Sequence, residues 1–300
     1  MTSPPVTMTH GDGIHFSPKH QDPDMTANAH ALSGFDDHDH EAYVEDNFLA
    51  SVMSVQRLTP SMMRVVLKLE GGERLLPSGH PDEWVRLAVP ADADTPVTLP
   101  VQQADGRWEM PDGADYSPNR PYTVRRWNPA TCEMVLDMVV HEGGAAANWV
   151  MGARPGDVVG ICNPEGRFWL AKGSCWLLML TDITGLPAVG RVLEELPEGF
   201  RTVVHVEVPS DADRQGLKTA ADAEITWHAC HGLRPERPGY TELPRIARQI
   251  TQLPEGPGYI YIAGEAKAAA ECRRHFRDTL GFDKRRIDAV GYWIEGQARV

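Results

Sequence analysis

The stretch that most restricts the fold of this chain runs from Asn119 to Asn148 and reads NRPYTVRRWNPATCEMVLDMVVHEGGAAAN. Its first part alternates as a strand at the edge of a site does, with Tyr122 and Val124 on one face and Thr123 and Arg125 on the other. Asn128-Pro129 is a turn pair, and the valine-rich run Met134 to His141 suits a second strand. Gly143-Gly144 closes that strand, and Ala145-Ala146-Ala147 opens a helix. A helix that starts after two glycines presents unpaired N–H groups and the positive end of its dipole, a place for a pyrophosphate or another anion. The stretch therefore predicts two strands that deliver a helix N-terminus to a phosphate-bearing cofactor.

The pattern R-x-Y-T-x-R, then a strand ending in His, then G-G-A-A-x-x-W is carried by Arg120, Tyr122, Thr123, Arg125, Asp137, His141, Gly143, Gly144 and Trp149. It resembles the flavin-binding half of the siderophore-interacting proteins, NAD(P)H-dependent ferric-siderophore reductases of the ferredoxin-reductase superfamily. Near the carboxyl end, Ile262-Ala263-Gly264-Glu265-Ala266 and Gly291-Tyr292-Trp293 match that family's A-G-E-A and G-Y-W motifs, so the resemblance runs from about Phe48 to Val300. It implies a two-domain ferredoxin-reductase-like fold: an antiparallel Greek-key β-barrel that binds FAD, followed by an α/β parallel-sheet domain that binds NAD(P)H. The implied cofactor contacts in the first domain are Arg120, Tyr122, Thr123, Val124, Arg125, Asp137, Val139, His141, Gly144, Ala145, Ala146, Ala147 and Trp149. In the second they are Asp182, Thr184, Gly264, Glu265 and Trp293.

These residue types suit a flavin on their own terms. Tyr122 offers a flat apolar contact, Thr123 a donor near N5, and Arg120 with Arg125 positive charge for the pyrophosphate. Tyr122 and Thr123 are accordingly the candidate catalytic contacts. The plainer reading of the short motif is a barrel strand whose arginines face water.

Three hundred residues suffice for two domains. The expected boundaries are a disordered tail over 1–46, a barrel over 47–172 and an α/β domain over 173–300. The tail holds nine acids and one base, Lys19, and so carries −8 of the net charge of −13. It also contains His10, His15, His20, His30, His38 and His40, six of the twelve histidines. A solvated tail is the expectation, and a loose transition-metal site around Asp36 to His40 the alternative. No apolar run approaches a membrane-spanning length, and the amino terminus lacks a basic-then-apolar signal. A cytoplasmic monomer is expected, with no membrane insertion and no nucleic-acid partner. The five scattered cysteines, Cys132, Cys162, Cys175, Cys230 and Cys272, contain no C-x-x-C pair, which argues against a disulfide framework, a zinc site or an iron–sulfur cluster.

Strands are expected at Leu49 to Gln56, Met62 to Leu69, Trp84 to Val89, Asp157 to Cys162 and Phe168 to Leu170, with Asp92 to Pro118 a hairpin or loop. Beyond Gly173, strands at Cys175 to Leu180, Thr202 to Val208, Tyr259 to Ala263 and Ile287 to Trp293 alternate with helices at Pro187 to Leu196, Tyr240 to Gln252 and Ala266 to Leu280. Such alternation predicts a doubly wound sheet with ligands beyond the carboxyl ends of its strands. There is no G-x-G-x-x-G fingerprint. Asp182 to Ala188 matches the family's D-E-T-A-L-P-A imperfectly, with Ile183 and Gly185 departing from it. Thr184 is open to two readings, nucleotide contact or helix N-cap, and Trp293 to two others, a cover for the flavin or an ordinary core tryptophan.

The resemblance implies a ferric siderophore or other ferric chelate as partner, reduced so that iron leaves as Fe2+. The alternatives are a flavin reductase or electron-transfer flavoprotein of the same superfamily, and a non-enzymatic flavoprotein that binds an iron chelate. The family pattern places bases in H-V-K-L, G-P-R-G and G-Y-W-R. Here those positions hold Arg86, Glu165 and Ile294. Arg86, Arg167 and Lys267 are the candidate substrate contacts, and the bland reading of the last two is solvent-facing charge.

Overall fold

A computed structural model describes residues 46–92, 95–111, 114, 117–141, 144–230 and 241–297. The acidic tail, its histidines and Gly143 lie outside the described residues. The first half forms a closed antiparallel barrel of six strands, β1 (Asn47–Thr59), β2 (Met62–Leu69), β3 (Trp84–Ala88), β6 (Asn119–Asn128), β7 (Glu133–Val139) and β8 (Val158–Glu165), in the order β1-β2-β7-β6-β3-β8. Closure leaves no free sheet edge, and alternation then decides what fills the interior. On β2, Val65, Leu67 and Leu69 point inward and meet Leu87, Val124, Leu136, Met138 and Ile161. Helix α1 (Ala145–Gly152) packs on β2, β6 and β7, and its Val150 joins that core. The polar insertion after β3 holds a short hairpin, β4 (Val101–Gln102) with β5 (Trp108–Glu109).

The second half is a five-stranded parallel sheet in the order β11-β10-β9-β12-β13. Its strands are β9 (Trp176–Thr181), β10 (Arg201–Val208), β11 (Ala223–Ala229), β12 (Gly258–Glu265) and β13 (Ile287–Trp293). β9 and β12 are buried at every position, as central strands covered on both faces must be. Helices α2 (Leu186–Glu195), α3 (Leu243–Gln249) and α4 (Ala266–Arg274) connect them. Several expected elements are corrected. Phe168 to Leu170 is no strand: Phe168 plugs the second core, edge-on to Tyr261 at 5.1 Å. β7 stops at Val139, short of His141, and α4 gives way to a π turn at His275–Thr279. Helix α3 begins at Leu243, and Tyr240 lies outside the described residues. β11 was not expected at all, because as an edge strand it buries none of its residues fully and has no apolar run.

Helix α2 fastens the two halves together. Arg191 donates to the Val124 carbonyl at 3.0 Å and reaches the buried Glu83 carboxylate at 3.4 Å. One turn away, the Arg125 fork donates to both oxygens of Glu194 at 2.8 and 2.6 Å. The Arg125 hydrogen bond holds the Glu194 carboxyl below its ordinary range against the opposing effect of burial. A carboxyl lowered in the folded state adds stability above its unfolded pKa and loses it as pH falls through the folded one. Glu194 is 36% exposed, so screening limits the gain to about 0.5 kcal/mol. Glu194→Gln is therefore expected to lower Tm by about 1–2 °C at pH 7 and by less at a pH low enough to protonate the carboxyl in the folded state. Differential scanning at both pH values checks this; an equal loss at both would mean that packing, not charge, holds the contact.

Candidate functional site

The start of β6 lies against the carboxyl ends of the parallel strands. Across the barrel, Thr123 pairs with Trp84 of β3, which pairs in turn with Glu165 of β8. The Thr123 side chain is buried, and Tyr292 of β13 is near enough for Thr123 to oppose the upward push of burial on its phenol. Tyr122 packs on the barrel core, and burial pushes its phenol up to about 12 against the opposing charge of Arg120, so it stays protonated and neutral. Arg120 is half-buried and donates to the Asn119 carbonyl at 2.6 Å, while Arg86 donates to the Asn119 side chain at 3.2 Å.

Helix α1 supplies the second part of this half. Its N-cap, Gly144, is extended at φ −92° and ψ 130°, accepts from Asn148 N at 2.8 Å and offers no side-chain cap; no acid stands in the first turn. Among the described residues no side chain caps the amides of Ala145, Ala146 and Ala147 at the start of this helix. A Cβ at Gly144 would come within 2.6 Å of the His141 imidazole, so the close approach of this turn requires glycine. Trp149 packs against the barrel core behind it.

Four expected contacts have other partners. Asp137 gives both oxygens to the Arg64 fork at 2.7 Å each and is only 2% exposed. Arg125 is held between Glu194 and, at 3.9 Å, Asp137. Val124 points into the barrel, its N–H donating to the Glu83 carbonyl and its carbonyl accepting from Arg191. Val139 packs against the core of the second domain. A one-residue register shift between Val124 and Arg126 turns Arg125 out of the plain alternation, which the sequence pattern alone does not reveal.

In the parallel-sheet half the organising group is Asp182. Its Oδ1 accepts from Thr184 N at 2.8 Å and from the Thr184 hydroxyl at 2.5 Å; its Oδ2 accepts from Glu265 N at 3.0 Å and Trp293 Nε1 at 2.8 Å. Burial raises its pKa, and these donors oppose the shift. One interior carboxylate therefore joins the ends of β9, β12 and β13. A Cβ at Gly264 would lie 2.6 Å from that carboxylate, and one at Gly185 would lie 2.2 Å from Thr181 Oγ1, so neither accepts a side chain. Gly185, not Thr184, is the N-cap of α2. Glu265 caps α4 by accepting from Ala268 N at 2.8 Å. Trp293 is half-buried with its indole N–H engaged.

The three candidate substrate bases separate. Arg167 pairs with the buried Asp288 at 3.1 Å while its own side chain stays 34% exposed. Arg86 stays on the outer face of β3, two residues from Trp84, and Lys267 is exposed at the start of α4. Glu165 is exposed at the end of β8, and Ile294 forms a bridge with Gln297. Sequence reasoning missed Glu83, Arg191 and Tyr261. Only the burial of two acids in Asp82-Glu83 and of a hydroxyl in the strand Tyr259–Ala263 would have marked them, and burial is a tertiary property.

Comparison with known proteins agrees with this arrangement. The siderophore-interacting FAD-binding domain matches residues 51–168, and the siderophore-interacting protein domain matches residues 174–296. The chain belongs to the siderophore-interacting protein family. It is 32% identical over 261 residues to a protein of Mycobacterium tuberculosis, covering 82% of this chain and 89% of that one. An NADPH-dependent ferric-chelate reductase of Escherichia coli is 28% identical over 249 residues, 81% of this chain and 91% of the relative. Among solved structures, a siderophore utilization protein from T. fusca superposes with a TM-score of 0.75 at 32% identity, covering 86% of this chain and 96% of that one. Family and fold support FAD binding and oxidoreductase activity. Among the described residues no helix is long and apolar enough to cross a membrane.

Proposed function

We propose that this protein is an FAD-dependent NAD(P)H:ferric-chelate oxidoreductase that frees iron as Fe2+ from ferric siderophores. The observation that carries the reading is the grip of helix α2 on β6, where Arg191 and Glu194 hold Val124 and Arg125 and so keep the flavin strand of the barrel beside the parallel sheet. The uncapped amides of α1 and the half-buried Arg120 fit the diphosphate of FAD. Tyr122 would lie against the flat ring, Thr123 would donate towards it, and Arg125 and Asp137 would brace the strand behind. Thr184, Gly264, Glu265 and Trp293, gathered by Asp182, would border the nicotinamide. When bound, FAD supplies the redox chemistry, accepting a hydride from the nicotinamide and passing single electrons to Fe3+ held by hard oxygen donors. Among the described residues no side chain at this site is assigned the role of an indispensable acid or base. A relative bearing the name NADPH-dependent ferric-chelate reductase supports the acceptor class.

The test is anaerobic reduction of the FAD-loaded protein with NADH and with NADPH, followed by a panel of ferric chelates. Bleaching by one nucleotide and reoxidation by chelates is the expected result; bleaching without reoxidation would favour an electron-transfer partner instead.

The rim also bears on which chelate is used. Glu165 is exposed and pairs with Trp84, two residues along β3 from Arg86, so this rim carries an acid as well as a base. The accepted chelate is therefore expected to be less anionic than a tris-catecholate. Glu165→Arg with Ile294→Arg should lower KM for an anionic ferric catecholate about fivefold, more at low salt, with nucleotide-to-flavin transfer unchanged. A double variant with unaltered KM at every salt concentration would displace the substrate from this rim.

A further inference from the structure

Two histidines meet on the face of the parallel sheet that looks away from the barrel. On β10, Val204, Val206 and Val208 join the core that also takes in Met62 and Phe168, whereas Val203 packs on the opposite core with Leu178 and Ile246. Period two puts His205 on that second face. His228 of edge strand β11 stands diagonally across from it, since His205 is in register with Thr226 and Glu207 with His228. The ring centroids are 5.3 Å apart at an angle of 40°, and His205 Nδ1 lies 3.1 Å from His228 Nε2. As it stands this is one hydrogen bond, with one ring as donor and the other as acceptor. The same spacing suits a shared cation: metal bonds of about 2.0–2.1 Å set neighbouring ligand nitrogens about 3.0–3.4 Å apart around a tetrahedral or octahedral centre. Both rings are half-buried, and burial lowers the pKa of each, with His205 and Arg245 acting further on His228. Both are thus neutral at pH 7, as metal ligands must be. His205 also lines a cavity of about 250 Å³ with Arg201 and Gln252, polar and roomy enough for water. Glu207 spends its oxygens on Thr241, Cys230 and the Glu242 amide. Among the described residues no cluster of three His, Cys, Asp or Glu side chains could hold a metal. Water therefore completes the coordination, which makes an open site rather than a closed structural one.

We propose that His205 and His228 are the two protein ligands of an exchangeable site for a borderline divalent transition cation such as Zn2+, which ties edge strand β11 to β10. Imidazole suits such cations, whereas Mg2+ seeks oxygen donors. On binding, the donor ring changes tautomer, its proton moving to the other ring nitrogen, so none is released on balance. Strand β11 has the most to gain, because it buries none of its residues fully and pairs with β10 alone. The site is independent of the flavin reading.

The experiment combines Zn2+ titration calorimetry with amide hydrogen exchange on the full-length wild type, His205→Ala, His228→Ala and His228→Gln. The six histidines within residues 1–46 are the same in all four proteins, so differences between them report on the pair. Two imidazoles on one frame make the second metal bond intramolecular, and losing either should weaken this class of Zn2+ binding about 100-fold. In the wild type, Zn2+ at about ten times its Kd should slow exchange of the Ala223–Ala229 amides about tenfold, and Mg2+ should not. None of the three variants should show that protection. Should an alanine variant fail to fold, His228→Gln, which keeps a hydrogen-bonding side chain, carries the comparison. Equal Zn2+ protection in a folded variant, equal protection by Mg2+, or no protection in the wild type overturns the proposal and leaves the pair as a hydrogen bond alone.

Discussion

Arg120→Ala is expected to yield a folded, nearly colourless protein whose Kd for FAD is about 100-fold weaker than that of wild type. Charge-assisted hydrogen bonds contribute about 1.5–3 kcal/mol each, and a planar fork next to an uncapped helix terminus uses more than one of its donors on a diphosphate. Arg120→Lys keeps the charge but not the fork, so about tenfold of the loss should remain. Arg125→Ala provides the contrast. Its guanidinium is already engaged by Glu194 and Asp137, so that variant should keep its FAD and lose thermal stability instead. Fluorescence titration of flavin into the apoproteins separates the outcomes. If Arg125→Ala loses FAD while Arg120→Ala stays yellow, the two arginines have been assigned the wrong way round.

Asp182→Ala should be the most destabilising single change in the nucleotide half. Removing this carboxylate takes the acceptor from the amides of Thr184 and Glu265, the Thr184 hydroxyl and the Trp293 indole N–H. Each buried donor left without a partner costs about 1–3 kcal/mol, partly recovered by relaxation, so a net loss of about 3–5 kcal/mol is expected. For a folded region of this size that is a fall in Tm of about 6–15 °C. Asp182→Asn keeps one acceptor oxygen and turns a donor towards the other pair of N–H groups, and should fall between. Trp293 emission reports the same event, shifting red as the indole loses its anchor. A Tm within about 2 °C of wild type for Asp182→Ala would show that water replaces the carboxylate and that the three strand ends are not held through it.

Much of the architecture was legible before any coordinates. A strand pattern of period two, turn pairs such as Asn128-Pro129, and the glycines ahead of Ala145 are local signals, and each was matched by β6, β7 and α1. The long apolar runs at β9 and β12 likewise announce strands buried on both faces. Edge strand β11 escaped because a half-exposed strand needs no apolar run, and its pairing with β10 is set only in the folded sheet. The motif residues were found by pattern, whereas their partners were not. Arg125 and Asp137 have the residue types of phosphate and flavin contacts, yet Glu194 lies 69 residues from one and Arg64 lies 73 from the other.

By itself, then, the sequence determined what depends on neighbours along the chain: the periodicities, the breaks, the helix N-terminus after Gly144, and the motifs that place the protein in its family. Only the tertiary structure decided which charges remain open to a ligand. Arg167 is paired with Asp288 and Arg125 with Glu194, and Asp182 gathers three strand ends. The physical reason is that a charge or a hydroxyl takes its meaning from whatever lies within about 3 Å of it, and here those partners come from segments far apart in the chain.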